Sequence, residues 1–307
     1  MNRFEQSEPD PQGSGISDGY TGRPLVLPFQ KWQALGNDYI IVERDRLPFE
    51  LTPARVRLMC AAHTGCHSDG VLEISPPADE RFVARIRIFN PDGSEAELSG
   101  NGVREAVLYM RREGWTDQDE FAVETAAGEV RPTITSPRTC TVAMGRASLR
   151  SPDFPSGGDD GRGTVFSDGR EFAFRHVSIG NPQCAIRIGD DLEDLDLDAI
   201  GPPIEHSELF PNRTNVSFFH IEDDHRVRAR IFERGVGETL SSGTGASGAA
   251  VAAVLDGAHS PVTVALDGGE LEVEVSADLD VTLTGWAEPV FSGEFSEEFV
   301  QALEEAA

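Results

Sequence analysis

Cysteine is scarce in this chain, with four in 307 residues and no paired pattern among them. That excludes a disulfide scaffold and makes a reducing compartment the expectation. Basic residues are scarce as well: 26 Lys and Arg face 53 Asp and Glu, a net charge of −27. So negative a surface repels phosphate backbones and anionic bilayers, which argues against nucleic acid or a membrane as partner. It favours solubility and suits a salty cytoplasm. No apolar run approaches the roughly 18 residues that a bilayer-spanning helix needs. The start of the chain lacks an apolar signal core, and 1–26, rich in Gly, Ser, Asp and Pro, is expected to be a disordered extension. These absences lead to a cytoplasmic protein as the expectation.

What the chain does hold is a repetition. Arg87-Ile88-Phe89-Asn90 precedes Ser99-Gly100-Asn101-Gly102, and Arg230-Ile231-Phe232-Glu233 precedes Ser242-Gly243-Thr244-Gly245. Ser99 and Ser242 stand 143 residues apart, as do Gly102 and Gly245, Glu95 and Glu238, and Ala106 and Ala249. Upstream of each copy Gly36-Asn37 is echoed by Gly180-Asn181 at an offset of 144. A period near half the chain means two similar halves rather than a solenoid. The expected division is 27–148 and 149–289, with 290–307 returning to the first half and the Pro-, Gly-, Ser- and Asp-rich stretch 151–169 connecting them.

Each copy reads as a strand, a charged turn and a helix opening on glycines. After Gly102 the residues Val103, Ala106, Val107 and Met110 keep helical spacing until Gly114. After Ser242 the text is nearly all Ala, Gly and Val, apolar on every face, which predicts a helix buried at the centre of its domain. Short alternating strands surround both. The fold class expected from this pattern is α/β of the α+β type, in two pseudo-symmetric domains.

A glycine-rich turn entering a helix exposes backbone N–H groups at the positive end of the helix dipole, an anion cradle. Two such turns face to face would hold one small carboxylate, with Ser99 and Ser242 at its flanks. The plainer reading of either serine is a helix cap. Glu233 ends its strand about nine residues before Ser242; folded back and desolvated, it would act as a base. Arg234 could clamp a carboxylate or simply pair with Glu233. Asn37, Asn90, Asn181 and Asn215 sit at strand or turn ends, where turn stabilisation competes with ligand binding.

Other motifs carry less. Cys60, His63, Cys66 and His67 lie within eight residues, but zinc ligands come as two separated pairs, so a loop and no metal are expected. The glycines from Gly243 to Gly248 match a dinucleotide fingerprint in form, yet a charged turn separates them from the strand. Neither serine lies in a hydrolase elbow.

Taken together, Gly36-Asn37-Asp38-Tyr39, Phe89-Asn90, Ser99-Gly100-Asn101-Gly102, Gly180-Asn181-Pro182, Thr214-Asn215-Val216, Glu233-Arg234 and Ser242-Gly243-Thr244-Gly245 resemble diaminopimelate epimerase over about residues 28–295. The resemblance implies two domains, each a mainly antiparallel sheet rolled around a central helix, and a cofactor-independent isomerase interconverting LL- and meso-diaminopimelate on the way to lysine and peptidoglycan. It implies substrate contacts from Asn37, Asn90, Asn181, Asn215, Glu233 and Arg234, and a carboxylate cradle of Gly100, Asn101, Gly243 and Thr244. In the family two cysteines move the α-proton; here both positions are serine, Ser99 and Ser242, and Gln183 stands where a histidine is usual. Three readings stay open: an epimerase with serines in the proton-transfer seats, a one-base isomerase or lyase using Glu233, and a binding protein that keeps the cleft without the chemistry. A small amino dicarboxylic acid is the expected ligand, and a homodimer is compatible with this reading.

Overall fold

The computed structural model describes residues 27–306, so the extension expected over 1–26 lies outside them. In the first half β1 (Leu27–Ala34) and β2 (Asn37–Glu43) form a hairpin that turns through Leu35 and Gly36, both at positive φ. There follow α1 (Pro53–Cys60), β3 (Val71–Ser75), β4 (Ala84–Phe89), the short β5 (Glu95–Ala96) and α2 (Gly100–Glu113). Then come β6 (Val123–Thr125), β7 (Gly128–Val130), β8 (Pro132–Ser136) and β9 (Thr139–Arg146). The second half runs β10 (Arg162–Ser167), β11 (Arg170–Ser178), β12 (Pro182–Arg187), α3 (Leu197–Glu205), β13 (Asn215–Asp223), β14 (Arg226–Glu233), β15 (Gly237–Thr239) and α4 (Gly243–Leu255). It continues through β16 (Val262–Leu266), β17 (Gly269–Val275), β18 (Asp280–Trp286), β19 (Glu288–Phe295) and α5 (Glu297–Glu305).

The duplication is visible in the pairing. β2 pairs parallel with β3 and β4 with β6; in the second half β12 pairs parallel with β13 and β14 with β16. β5 folds back on β4 as β15 folds back on β14. The fold is α+β, with an eight-stranded sheet ordered β19-β1-β2-β3-β4-β6-β7, β5 lying beside β4, and an eleven-stranded sheet ordered β10-β11-β12-β13-β14-β16-β17-β18-β9-β8, β15 lying beside β14. α2 packs against β1 to β4, and α4 against β11 to β14 and β16 to β18. From Gly100 to Met110 every residue of α2 is buried, which takes the apolar face of the helix and its polar flanks into the interior.

The chain changes sheets at Arg131, inside the stretch expected to be the first domain. The text Glu129–Ile134 reads as one strand, but the chain leaves the first sheet there: β7 pairs β6, whereas β8 and β9 join the second sheet through β18. Both strands still pack on α2, so the main core runs unbroken from Ile86 and Val103 to Val142, Ala249 and Leu283. Alternation alone cannot name a partner sheet. The connection expected over 151–169 is also part strand, because β10 pairs β11 from Arg162 to Ser167. In the acidic run after Asp190, Asp196 caps α3. β19 is the edge strand of the first sheet, against β1.

Candidate active site

Ser99 and Ser242 are both helix caps. The Ser99 hydroxyl accepts from the Gly102 amide at 3.0 Å and the Ser242 hydroxyl from the Gly245 amide at 3.1 Å. Their backbones match, with φ/ψ of −135°/121° and −140°/120°. The capping role is therefore real, and it does not compete with chemistry, because the two helices point at one another. A methyl group added to Gly100 would lie 3.6 Å from the Gly243 Cα, and one on Gly243 would lie 3.5 Å from the Gly100 Cα. Those distances are ordinary van der Waals contact, so the two helix starts abut closely without either glycine being sterically required. The amides of Gly100, Asn101, Gly243 and Thr244 belong to the first turns, which have no i−4 acceptor of their own, and both dipoles present their positive ends at one place.

Asn37 and Asn181 reach this junction through Asn101 and Thr244. Asn101 donates to the Asn37 Oδ1 at 3.1 Å and reaches Ser241 across the halves at 3.4 Å. The Asn37 amide donates to Asp69 at 2.9 Å. In the second half Asn181 donates to the Thr244 hydroxyl at 3.2 Å and receives the Gln183 amide at 2.6 Å. The Asn215 Oδ1 accepts the Arg234 backbone amide at 2.8 Å, which fixes the turn after Glu233. Asn90 follows β4 directly and donates to the Ser94 hydroxyl at 2.9 Å, a turn contact. The Arg234 guanidinium donates to the Asn212 carbonyl at 2.9 Å and forms no ion pair with Glu233 among the described residues. Gln183 is fully buried over Gly248 of α4, where an added methyl would come within 2.8 Å of its Cβ.

Glu233 is brought to Ser242, as folding back over the turn required. Burial pushes its carboxyl above the ordinary range, while the Ser242 hydroxyl hydrogen-bonded to it pulls partly back. Three residues of the site went unassigned in the sequence. Asp69 lies in Ser68-Asp69-Gly70, just after the Cys/His cluster, and anchors Asn37 and the Asp38 amide. Tyr39 donates its hydroxyl to the Ser99 Oγ at 3.3 Å. Arg104, fully buried, donates to the Gly100 carbonyl at 3.0 Å and to the Asn101 Oδ1 at 2.6 Å, tying the first turn of α2 together. Tyr39 lies in the Gly36–Tyr39 motif, but neither that motif nor any local pattern marks the roles of these three, since each acts on a partner that the fold supplies.

Next to Arg104, Glu105 is fully buried, and neither carboxyl oxygen has a hydrogen-bond partner among the described residues. Desolvation pushes it well above the usual carboxylate range, against the pull of Arg104 and with help from Asp38 and Asp69. Between the ordinary and the raised pKa the folded protein holds a proton that the unfolded chain has released. Stability therefore falls as pH rises through that window. Glu105→Gln removes the slope, and its melting temperature should equal that of the parent near pH 4 and exceed it at neutral pH by roughly 1–3 kcal/mol of stability. Melting curves across pH check this; an unchanged slope would mean that Glu105 is ionised and paired.

A family model described as diaminopimelate epimerase matches residues 29–150 and 175–290. Diaminopimelate epimerase 2 of a Nostoc species is 39% identical over 277 residues, covering 89% of this chain and 96% of the relative. The diaminopimelate epimerase of an Azoarcus species is 38% identical over 274 residues, covering 88% and 99%. Among solved structures, a hydroxyproline epimerase from Agrobacterium vitis with bound trans-4-hydroxy-L-proline is similar with a TM-score of 0.64, 16% identity, and coverage of 88% and 92%. A phenazine biosynthesis protein from Bacillus anthracis gives a TM-score of 0.63, 16% identity, and coverage of 88% and 99%. Likeness at that identity speaks for the fold. Among the described residues no helix is long and apolar enough to cross a membrane.

Proposed function

The chain belongs to the diaminopimelate epimerase family, and from that premise we propose that it is a cofactor-independent epimerase inverting the α-carbon of a diaminopimelate-type amino dicarboxylic acid. The observation that carries the proposal is the abutment of the two capped helix starts at Gly100 and Gly243, each with a serine beside it. Removing an α-proton pushes charge into the neighbouring carboxylate. Amides of Gly100, Asn101, Gly243 and Thr244 aimed at that group strengthen their hold as the charge develops, so they favour the transition state over the ground state. Ser99 and Ser242 would face opposite sides of Cα. Glu233 would take the proton through Ser242, while Asn37, Asn90, Asn181, Asn215 and Arg234 hold the remaining polar groups and Gln183 keeps Asn181 in place. We extend the proposal to a cytoplasmic location, in line with the acidic surface. It also includes a homodimer through the edge strand β19, where Val290 and Phe291 stand exposed.

A second reading rests on one specific observation. Glu233 has Asn90 as its counterpart in the repeat, so only one serine has a strand-end carboxylate. A one-sided isomerase would exchange the α-proton without inverting the centre. Incubating the protein with meso-diaminopimelate in deuterium oxide separates the two. Deuterium at Cα together with LL product is the expected result. Deuterium without LL product selects the one-sided reading, and saturable binding without any deuterium removes both.

A further inference from the structure

The two halves carry different acid–base groups at equivalent places. At the 144-residue offset Tyr39 is the counterpart of Gln183, and at the 143-residue offset Glu105 is the counterpart of Gly248. In the second half the Gln183 amide turns away onto Asn181 and its stem lies over Gly248. In the first half the seat of Gln183 holds a phenol, and that phenol is turned onto the serine: the Tyr39 hydroxyl lies 3.3 Å from the Ser99 Oγ. The contact is held from behind. Tyr39 is 5% exposed, and a methyl group on Gly70 would come within 2.6 Å of its ring, so the ring occupies space that only glycine leaves free. Ser99 is fixed by its cap. An aliphatic hydroxyl gives almost no alkoxide near neutral pH, so a serine that must both take up and return a proton needs an activating neighbour. Ser242 has Glu233; Ser99 has Tyr39.

Resting on the epimerase reading above, we propose that Tyr39 is the proton partner of Ser99, passing a proton through that serine to and from the face of Cα opposite Ser242. In one direction Glu233 takes the α-proton by way of Ser242, and the C–H electron pair stays on Cα and its carboxylate. That pair then forms a new C–H bond with the Ser99 hydroxyl proton. Ser99 recovers a proton from the Tyr39 hydroxyl, and Tyr39 is left as phenolate. The opposite direction begins from that phenolate and restores the starting protonation, as does exchange with solvent. Burial raises the phenol above its ordinary range, against the pull of its hydrogen bond to Ser99, so at rest Tyr39 holds its proton. The resting site is thus loaded to remove a proton on the Ser242 side and return one on the Ser99 side.

The test is Tyr39→Phe, which keeps the ring and removes only the hydroxyl. LL- and meso-diaminopimelate are each incubated in deuterium oxide with the parent protein, with Tyr39→Phe and with Glu233→Gln, and α-deuterium and inverted product are followed separately. Tyr39→Phe should lose inversion by about 10²-fold or more with little change in KM, yet retain α-deuterium wash-in for the configuration whose proton faces Ser242. Glu233→Gln should lose that wash-in. Inversion at the parent rate in Tyr39→Phe overturns the relay and leaves the epimerase reading standing. Equal loss of both exchanges with a lowered melting temperature also overturns it, because Tyr39 would then be structural. A parent protein that exchanges neither configuration overturns relay and epimerase reading together.

Discussion

Glu233→Gln should slow α-proton removal by about 10²- to 10⁴-fold, the range spanned by a single positioned acid–base group, while melting close to the parent. The change is isosteric and leaves a polar partner for the Ser242 hydroxyl. The parent also carries a pH signature that the variant should lose. The working form of Glu233 is the carboxylate, and burial lifts its folded pKa above the ordinary value. Proton removal must therefore fail as pH drops through that raised value, at a higher pH than an exposed glutamate, with its pKa of about 4.3, would allow. Rate profiles from about pH 5 to pH 9, read as deuterium wash-in, show whether the acid limb exists and whether Glu233→Gln abolishes it. A limb that persists in the variant would assign the titration, and the base, to another group.

The larger gain should come from returning thiols to the two serine positions. A cysteine thiol has a pKa of about 8.5 and gives thiolate near neutral pH. An aliphatic hydroxyl is a far weaker acid and stays protonated there. Ser99→Cys plus Ser242→Cys, with Gln183→His, should raise epimerase turnover on meso-diaminopimelate by on the order of 10²-fold, since the proton donors then lie closer to the operating pH. The surroundings are ready for the change, because the cap geometry of the two positions is the same and the abutting glycines are untouched. Turnover measured by the appearance of LL product checks it. A folded triple variant with wash-in still at background would mean that the cradle does not present Cα to these positions.

Much of the site was legible because its determinants are local. A cap needs a hydroxyl and an amide three residues on, and Ser99–Gly102 and Ser242–Gly245 satisfy that within one turn of chain. Glu233 lies close enough to Ser242 along the chain for the hairpin of β14 and β15 to return it. Arg234 was half legible: its backbone belongs to the site through Asn215, but its guanidinium goes to Asn212. Asn90 was read as a site residue, and its side chain is engaged in its own turn with Ser94.

The sequence by itself determined the duplication, the two glycine-opened helices, the buried character of α4 and the family, because all of these rest on short-range periodicity or on repeated text. Only the tertiary structure decided that the two helix starts touch at Gly100 and Gly243, that the chain changes sheets at Arg131, and that Tyr39 leans on Ser99. Those contacts join residues far apart in the chain. Their partners are chosen by how sheets pack and how closely two backbones can approach, and nothing in a residue's own neighbourhood encodes which distant group will arrive.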